Sequence, residues 1–239
     1  MPTSFINLCN MTLRRLNEVE IDESAFSSVR GVQALVKDSV KNSIAKINQA
    51  EYSWSFNYAS NTQVLSAGQE EYAWTADHKI VDWNSFQVLE NASLGSVFKR
   101  LRFITTDQWF EGHRDDDAKA GSDGRGIPDL VFPSGSGYGL TPSPDKAYSI
   151  NYRYYKSHTD LVLFSDQSRI PSQFDNIIVD GAMLNMYLFK DNPQSAQLIG
   201  AIFEQGIKHM QSQLINQYDS IRDRRIVQGL NTDFFTNAW

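Results

Sequence analysis

The sequence predicts an α+β fold: an antiparallel helical bundle formed by the N- and C-terminal helices, with an inserted antiparallel β-domain and a long Gly-rich loop. Two observations lead to this. Apolar residues recur at helical spacing only at the two ends of the chain, whereas between them the apolar period shortens to two. The two C-terminal stripes are joined by about three residues, so those helices lie antiparallel and adjacent. Neither buries the other's stripe completely, so they need the N-terminal helices as partners. Residues 1–51 and 170–222 are therefore expected to form the bundle, 52–169 the insertion with a long loop over 105–147, and 223–239 a docking tail.

At the N-terminus, Ser4 is placed to cap a helix with Phe5, Leu8, Cys9, Thr12, Leu13 and Leu16 on one face, ending near Asn17. The acidic stretch Glu18–Ser24 has no period and reads as a loop. A second helix is expected from Ser27 or Ser28 to about Ala50, with Val29, Val32, Leu35, Val36, Val40, Ile44 and Ile47 inward and Lys37, Lys41 and Lys46 on the solvated face. From Tyr52 the pattern changes. Trp54, Phe56 and Tyr58 alternate with polar residues, and strands are expected there and at Thr62–Leu65, Tyr72–Thr75, Lys79–Val81, Ser85–Leu89 and Val97–Ile104, the last carrying Lys99, Arg100 and Arg102.

Glycine is dense over 105–147, in Gly121–Gly126 and in Pro133–Gly139, and this reads as a partly mobile loop with short strands near Leu130–Phe132. Tyr148, Ile150, Tyr152 and Tyr154 alternate clearly as a strand with an aromatic inner face, and Leu161–Phe164 gives one more. Pro171 then stops the insertion. Ser172 and Asp175 have the spacing of a reciprocal helix cap. The third helix places Phe174, Ile177, Ile178, Gly181, Ala182, Leu184 and Leu188 on its apolar stripe. Asn192 and Pro193 open the fourth, in which Ala196, Ile199, Ile202, Phe203, Ile207, Met210, Leu214, Tyr218 and Ile221 recur. Beyond Arg222 the helical period fades, but Ile226, Leu230, Phe234, Phe235 and Trp239 leave the tail apolar. Such a tail packs on its own domain or docks on another chain.

Composition narrows the chemistry. A net charge of −6 argues against general nucleic-acid binding. No apolar run approaches the roughly 18 residues of a membrane span, and no signal peptide is expected. The single Cys9 rules out an internal disulfide and reads as a buried, inert thiol. Asp115–Asp117 does not continue as a calcium loop, since Ala120 and Gly126 occupy its sixth and twelfth positions. The glycine clusters lack the Gly-Lys-Ser/Thr ending of a phosphate loop. Pro128-Asp129 and Pro144-Asp145-Lys146 lack the acidic-x-Lys pair that a metal-dependent nuclease needs on its next strand. His78, His113, His158 and His209 have no second histidine at metal spacing. No cofactor, metal or catalytic group is expected, which points to an assembly component.

Both ends carry a resemblance. Leu13-Arg14-Arg15-Leu16-Asn17-Glu18, the long second helix, and the aromatic entry Trp54-Ser55-Phe56 resemble the head-to-tail adaptor proteins of tailed bacteriophages, also called tail tubular protein A in short-tailed phages. That family typically opens with an "LxxLGE"-like helix, and Asn17 stands where its glycine is usual. Ile170–Asp175 with Gly181-Ala182 and Tyr187 is similar to the family's third helix. The resemblance implies a non-enzymatic virion protein assembled in the host cytoplasm: a dodecameric ring of self-associating copies beneath the portal protein. The ring would join the portal to the tail nozzle or tube protein around a channel through which DNA passes during ejection without specific binding. The tail residues Ile226, Leu230, Phe234, Phe235 and Trp239 would anchor on the portal. A different neck or tail ring component and a metal-dependent nuclease are the alternatives.

Overall fold

The computed structural model describes residues 3–92, 95–114 and 124–215, with the side chains of 90–97 also outside the description. It is a mixed α+β structure with two compact units: Met1–Phe56 with Thr159–Trp239, and Asn57–His158.

The first unit holds α1 (Phe5–Arg15), α2 (Val32–Ala50), and two further long helices, Asp175–Phe189 and Pro193–Leu214. Phe5, Leu8, Cys9 and Leu13 from α1, Val36, Val40, Ile44 and Ile47 from α2, and Ile178, Ala182, Phe203 and Met210 from the later helices share one buried core. Segments from both ends of the chain thus bury each other's stripes. α1 starts without help from the Ser4 side chain. Its first N–H groups go instead to the backbone ahead of the third long helix, Phe5 N to Asp166 O at 2.8 Å and Ile6 N to Phe164 O at 3.2 Å. It ends in a Schellman turn. Asn17 takes a left-handed φ of 56°, and Glu18 N donates to Leu13 O at 3.0 Å. Asparagine tolerates that conformation nearly as glycine does, which explains Asn17 at the glycine position.

Several expectations are corrected. α2 starts at Val32 rather than Ser27 or Ser28, because Gly31 before it has φ 61° and breaks the helical path. Lys37 is not simply solvated: its Nζ donates to Phe26 O at 2.7 Å and lies 4.1 Å above the Phe26 ring. Trp54 and Phe56 are not on a strand. They stack on each other at 5.5 Å, Trp54 is fully buried in the helical core, and its Nε1 donates to Ile47 O at 2.8 Å. Leu161–Phe164 is not a strand either, because the Asp166 carboxylate accepts from Val162 N and Leu163 N, both at 2.7 Å, and folds the segment into a turn. Ser172 opens a short 3₁₀ turn and makes no side-chain cap. The Asp175 carboxylate accepts instead from the Thr3 hydroxyl. The Asn192 cap does form, accepting from Ser195 N at 3.2 Å with Pro193 at the first helical position.

The second unit has two four-stranded sheets. β1 (Tyr58–Val64), β8 (Ser149–Lys156), β3 (His78–Ala92) and β4 (Gly95–Arg100) pair antiparallel in that order. β2 (Glu71–Ala73), β7 (Gly137–Thr141), β6 (Leu130–Ser134) and β5 (Arg102–Phe103) form the other, with β5 and β6 parallel. Side chains of both sheets, including Tyr72, Phe86, Tyr138, Leu140, Ile150, Tyr152 and Tyr154, make one core. The two short strands expected at Lys79–Val81 and Ser85–Leu89 are one strand, β3, whose register slips between Asp82 and Gln87. There the Ser85 hydroxyl receives Arg153 N at 2.8 Å in place of a ladder bond. The strand expected over Val97–Ile104 is two, β4 and β5, in different sheets, parted at the buried Leu101.

The region 105–147 is not one loop. It contains α3 (Thr106–Gly112) and the hairpin of β6 and β7. Its start is a capping box, with Gln108 N donating to Thr105 Oγ1 at 3.2 Å and Thr105 N to Gln108 Oε1 at 3.0 Å. The glycines of β7 are there for room. A Cβ on Gly137 would strike the Tyr72 backbone carbonyl, and one on Gly139 would strike the Phe132 ring.

Candidate docking surfaces and an aromatic pocket

The anchors expected in the tail, Ile226, Leu230, Phe234, Phe235 and Trp239, lie outside the described residues, as do Tyr218, Ile221, Asp115–Asp117 and the first three residues of Gly121–Gly126. What remains of the predicted chemistry is dispersed. Among the described residues no three His, Cys, Asp or Glu side chains converge as a metal site would require. Asp129 Oδ1 pairs with Lys99 Nζ at 3.1 Å. Asp145 accepts from the Tyr148 hydroxyl at 2.6 Å, and that bond holds its carboxyl below the usual range. Cys9 is fully buried in the helical core, and burial pushes its thiol up to about 12. Such a group is neither a nucleophile nor a ligand near neutrality. His209 lies at the surface beside Gln213.

With α4 (Asp175–Phe189) and α5 (Pro193–Leu214) so labelled, the helical unit leaves apolar side chains uncovered. Leu188 and Phe189 close α4 at 60% and 62% exposed, and Leu198 in the second turn of α5 is 68% exposed. Leu188 and Ile202 were expected on the buried stripe, but both are exposed. Periodicity marks a residue as apolar and says nothing of which chain covers it. A second exposed group is Val162-Leu163-Phe164, in a segment hydrogen-bonded to the Asp166 carboxylate and, through its backbone, to α1.

The β unit contains a feature that local sequence patterns do not reveal: a pocket of about 600 Å³ lined by Trp74, His78, Trp83, Trp109, Phe110 and Glu71 among others. Its rings come from Trp74 just after β2, from His78 at the start of β3 and Trp83 within its register slip, and from α3. Each indole already has a ring partner in its own unit: Trp74 on His78 at 4.5 Å, Trp83 on Phe86 at 5.7 Å, Trp109 on Phe132 at 4.6 Å. Burial lowers the His78 pKa, so its imidazole is neutral at pH 7. The one local sign available was the Thr105-x-x-Gln108 capping box, which announces the helix carrying Trp109 and Phe110.

The functional picture is thus one of surfaces: exposed apolar groups on a helical unit drawn from both chain ends, and an aromatic pocket on a β unit. No described helix is long and apolar enough to cross a membrane. No curated protein matches the chain. The SU10 adaptor protein family does match, over residues 4–227 and hence through both units, so the chain belongs to this family of structural phage head-to-tail adaptors.

Proposed function

We propose that the chain forms a ring in the virion neck, made of twelve copies beneath the portal and joining it to the tail nozzle or tube around the DNA channel. The observation that carries this reading is the family match across residues 4–227. The helical unit built from residues of both termini supports it, because an antiparallel bundle closed by the chain ends leaves the insertion and the tail for partners. In this reading copies pack bundle to bundle, and exposed Leu188, Phe189 and Leu198 supply the apolar area a ring contact needs. Residues 223–239 dock on the portal through Ile226, Leu230, Phe234, Phe235 and Trp239, since large apolar anchors dominate interfaces. DNA passes without specific contact, in keeping with the net charge of −6.

The test is imaging and mass measurement of the purified full chain with its cognate portal ring, beside a variant lacking Ile226–Trp239. A stacked collar on the portal that disappears with the deletion, at unchanged thermal stability, is the expected result. Undiminished portal binding by the truncated chain would refute the tail assignment. A full-length chain that ignores the portal would refute the head-to-tail reading.

A further inference from the structure

The aromatic pocket of the β unit has a definite chemical character. Trp74, Trp83 and Trp109 bring electron-rich rings to one cavity, Glu71 adds a carboxylate, and among the described residues no lysine or arginine lines it. Neutral His78 contributes no repelling charge. α3, which carries Trp109 and Phe110, also carries the exposed Asp107 and Glu111. Arg114 already lies 5.3 Å over the Phe110 ring, so one ring of the cavity accepts a guanidinium within the chain itself. Stacked rings with a nearby carboxylate favour a planar cation over a neutral or anionic group. Because each indole is fixed by a partner ring of its own unit, little ordering is needed on binding.

We infer that this pocket receives an arginine side chain of a partner protein, stacked among Trp74, Trp83 and Trp109 and paired with Glu71. The site is independent of the head-to-tail reading, because it belongs wholly to the β unit and is assayed on the free chain. The experiment follows the indole N–H resonances of the full-length protein by NMR during titration with N-acetylarginine amide, and separately with its neutral isostere N-acetylcitrulline amide. Trp54, fully buried in the helical core, is the internal control for any general effect of the additive.

The arginine analogue should shift the Trp74 and Trp109 signals at millimolar concentration and leave Trp54 in place. The citrulline analogue should need about ten times more. Glu71→Gln, at an exposed strand position, should weaken the arginine analogue about threefold and leave the citrulline analogue unchanged. Equal response to the two analogues, or no shift at Trp74 and Trp109, overturns the assignment.

Discussion

Gly181 offers a sharp test of how the helices are packed. It is buried within α4, where a Cβ would strike Ser43 Oγ on α2 and come within 2.6 Å of Phe203 Cε2 on α5. Gly181→Ala therefore sets two effects against each other. Replacing glycine inside a helix gains up to about 1 kcal/mol from propensity. Forcing a methyl into a filled core costs about 1–3 kcal/mol. Phe203 is 5% exposed, and three helices meet at this point, so neither neighbour yields freely. The clash wins, with a net loss of about 1–2 kcal/mol. For a chain of this size that lowers Tm by roughly 3–6 °C.

Gly200 on α5 is the control. Its added Cβ would sit 3.5 Å from Leu184 Cδ1, an ordinary contact, so Gly200→Ala keeps the propensity gain and should raise Tm. A second control uses Ser43, whose buried hydroxyl has no hydrogen-bond partner among the described residues. Ser43→Ala alone should be neutral or stabilising. Combined with Gly181→Ala it should recover part of the loss, with a coupling of at least about 0.5 kcal/mol. The assay is thermal unfolding followed by far-UV circular dichroism for all four variants. If Gly181→Ala is as stable as Gly200→Ala, the close approach of α2, α4 and α5 at this point is wrong.

Two further outcomes follow from the ionisable groups. Cys9, buried with its thiol at about 12, should resist Ellman's reagent in native buffer and release one equivalent per chain only in denaturant; rapid native labelling would contradict its place in the core. Asp77 is held below its ordinary 3.8: burial opposes its charge, but hydrogen bonds from Lys156 Nζ and the Tyr154 hydroxyl, each at 3.0 Å, outweigh burial. Its folded value is therefore the lower one, so its contribution is complete above pH 3.8 and disappears as the pH falls through the folded value. Asp77→Asn should lower stability by up to about 1 kcal/mol at pH 7 and remove part of the acid sensitivity of the β unit. A variant with the wild-type pH profile would show that the Asp77 pairing contributes nothing.

What the sequence revealed depended on how local the determinant was. β8 was legible because Tyr148, Ile150, Tyr152 and Tyr154 all face one core and alternate without interruption. The Asn192–Pro193 start of α5 was legible because its cap lies within four residues. Trp54 was misassigned because its partner, the Ile47 carbonyl, belongs to the preceding helix, and alternation with serine imitates a strand. Pro133–Gly139 was misread because glycine was taken as freedom, when here it makes room for Tyr72 and Phe132. The Trp74, Trp83 and Trp109 pocket depends on a register slip and on pairing across the unit, neither of which leaves a periodic trace.

The exposed apolar positions carry the same reasoning into function. Leu188 on α4 and Ile202 on α5 satisfy the helical period as well as Ile178 or Phe203 do, yet they are 60% and 44% exposed. Partly buried already, each forgoes about half of the roughly 1.5–3 kcal/mol that complete burial of such a side chain brings. In the ring proposed for this chain, the apolar stripe serves two interfaces in one pattern, one internal and one between copies. Polar substitution separates them: Leu188→Gln should leave the folded helical unit's Tm within about 1–2 °C of wild type while weakening self-association, whereas Ile178→Gln should unfold the unit. A large loss of stability from Leu188→Gln would mean that this residue serves the internal core after all.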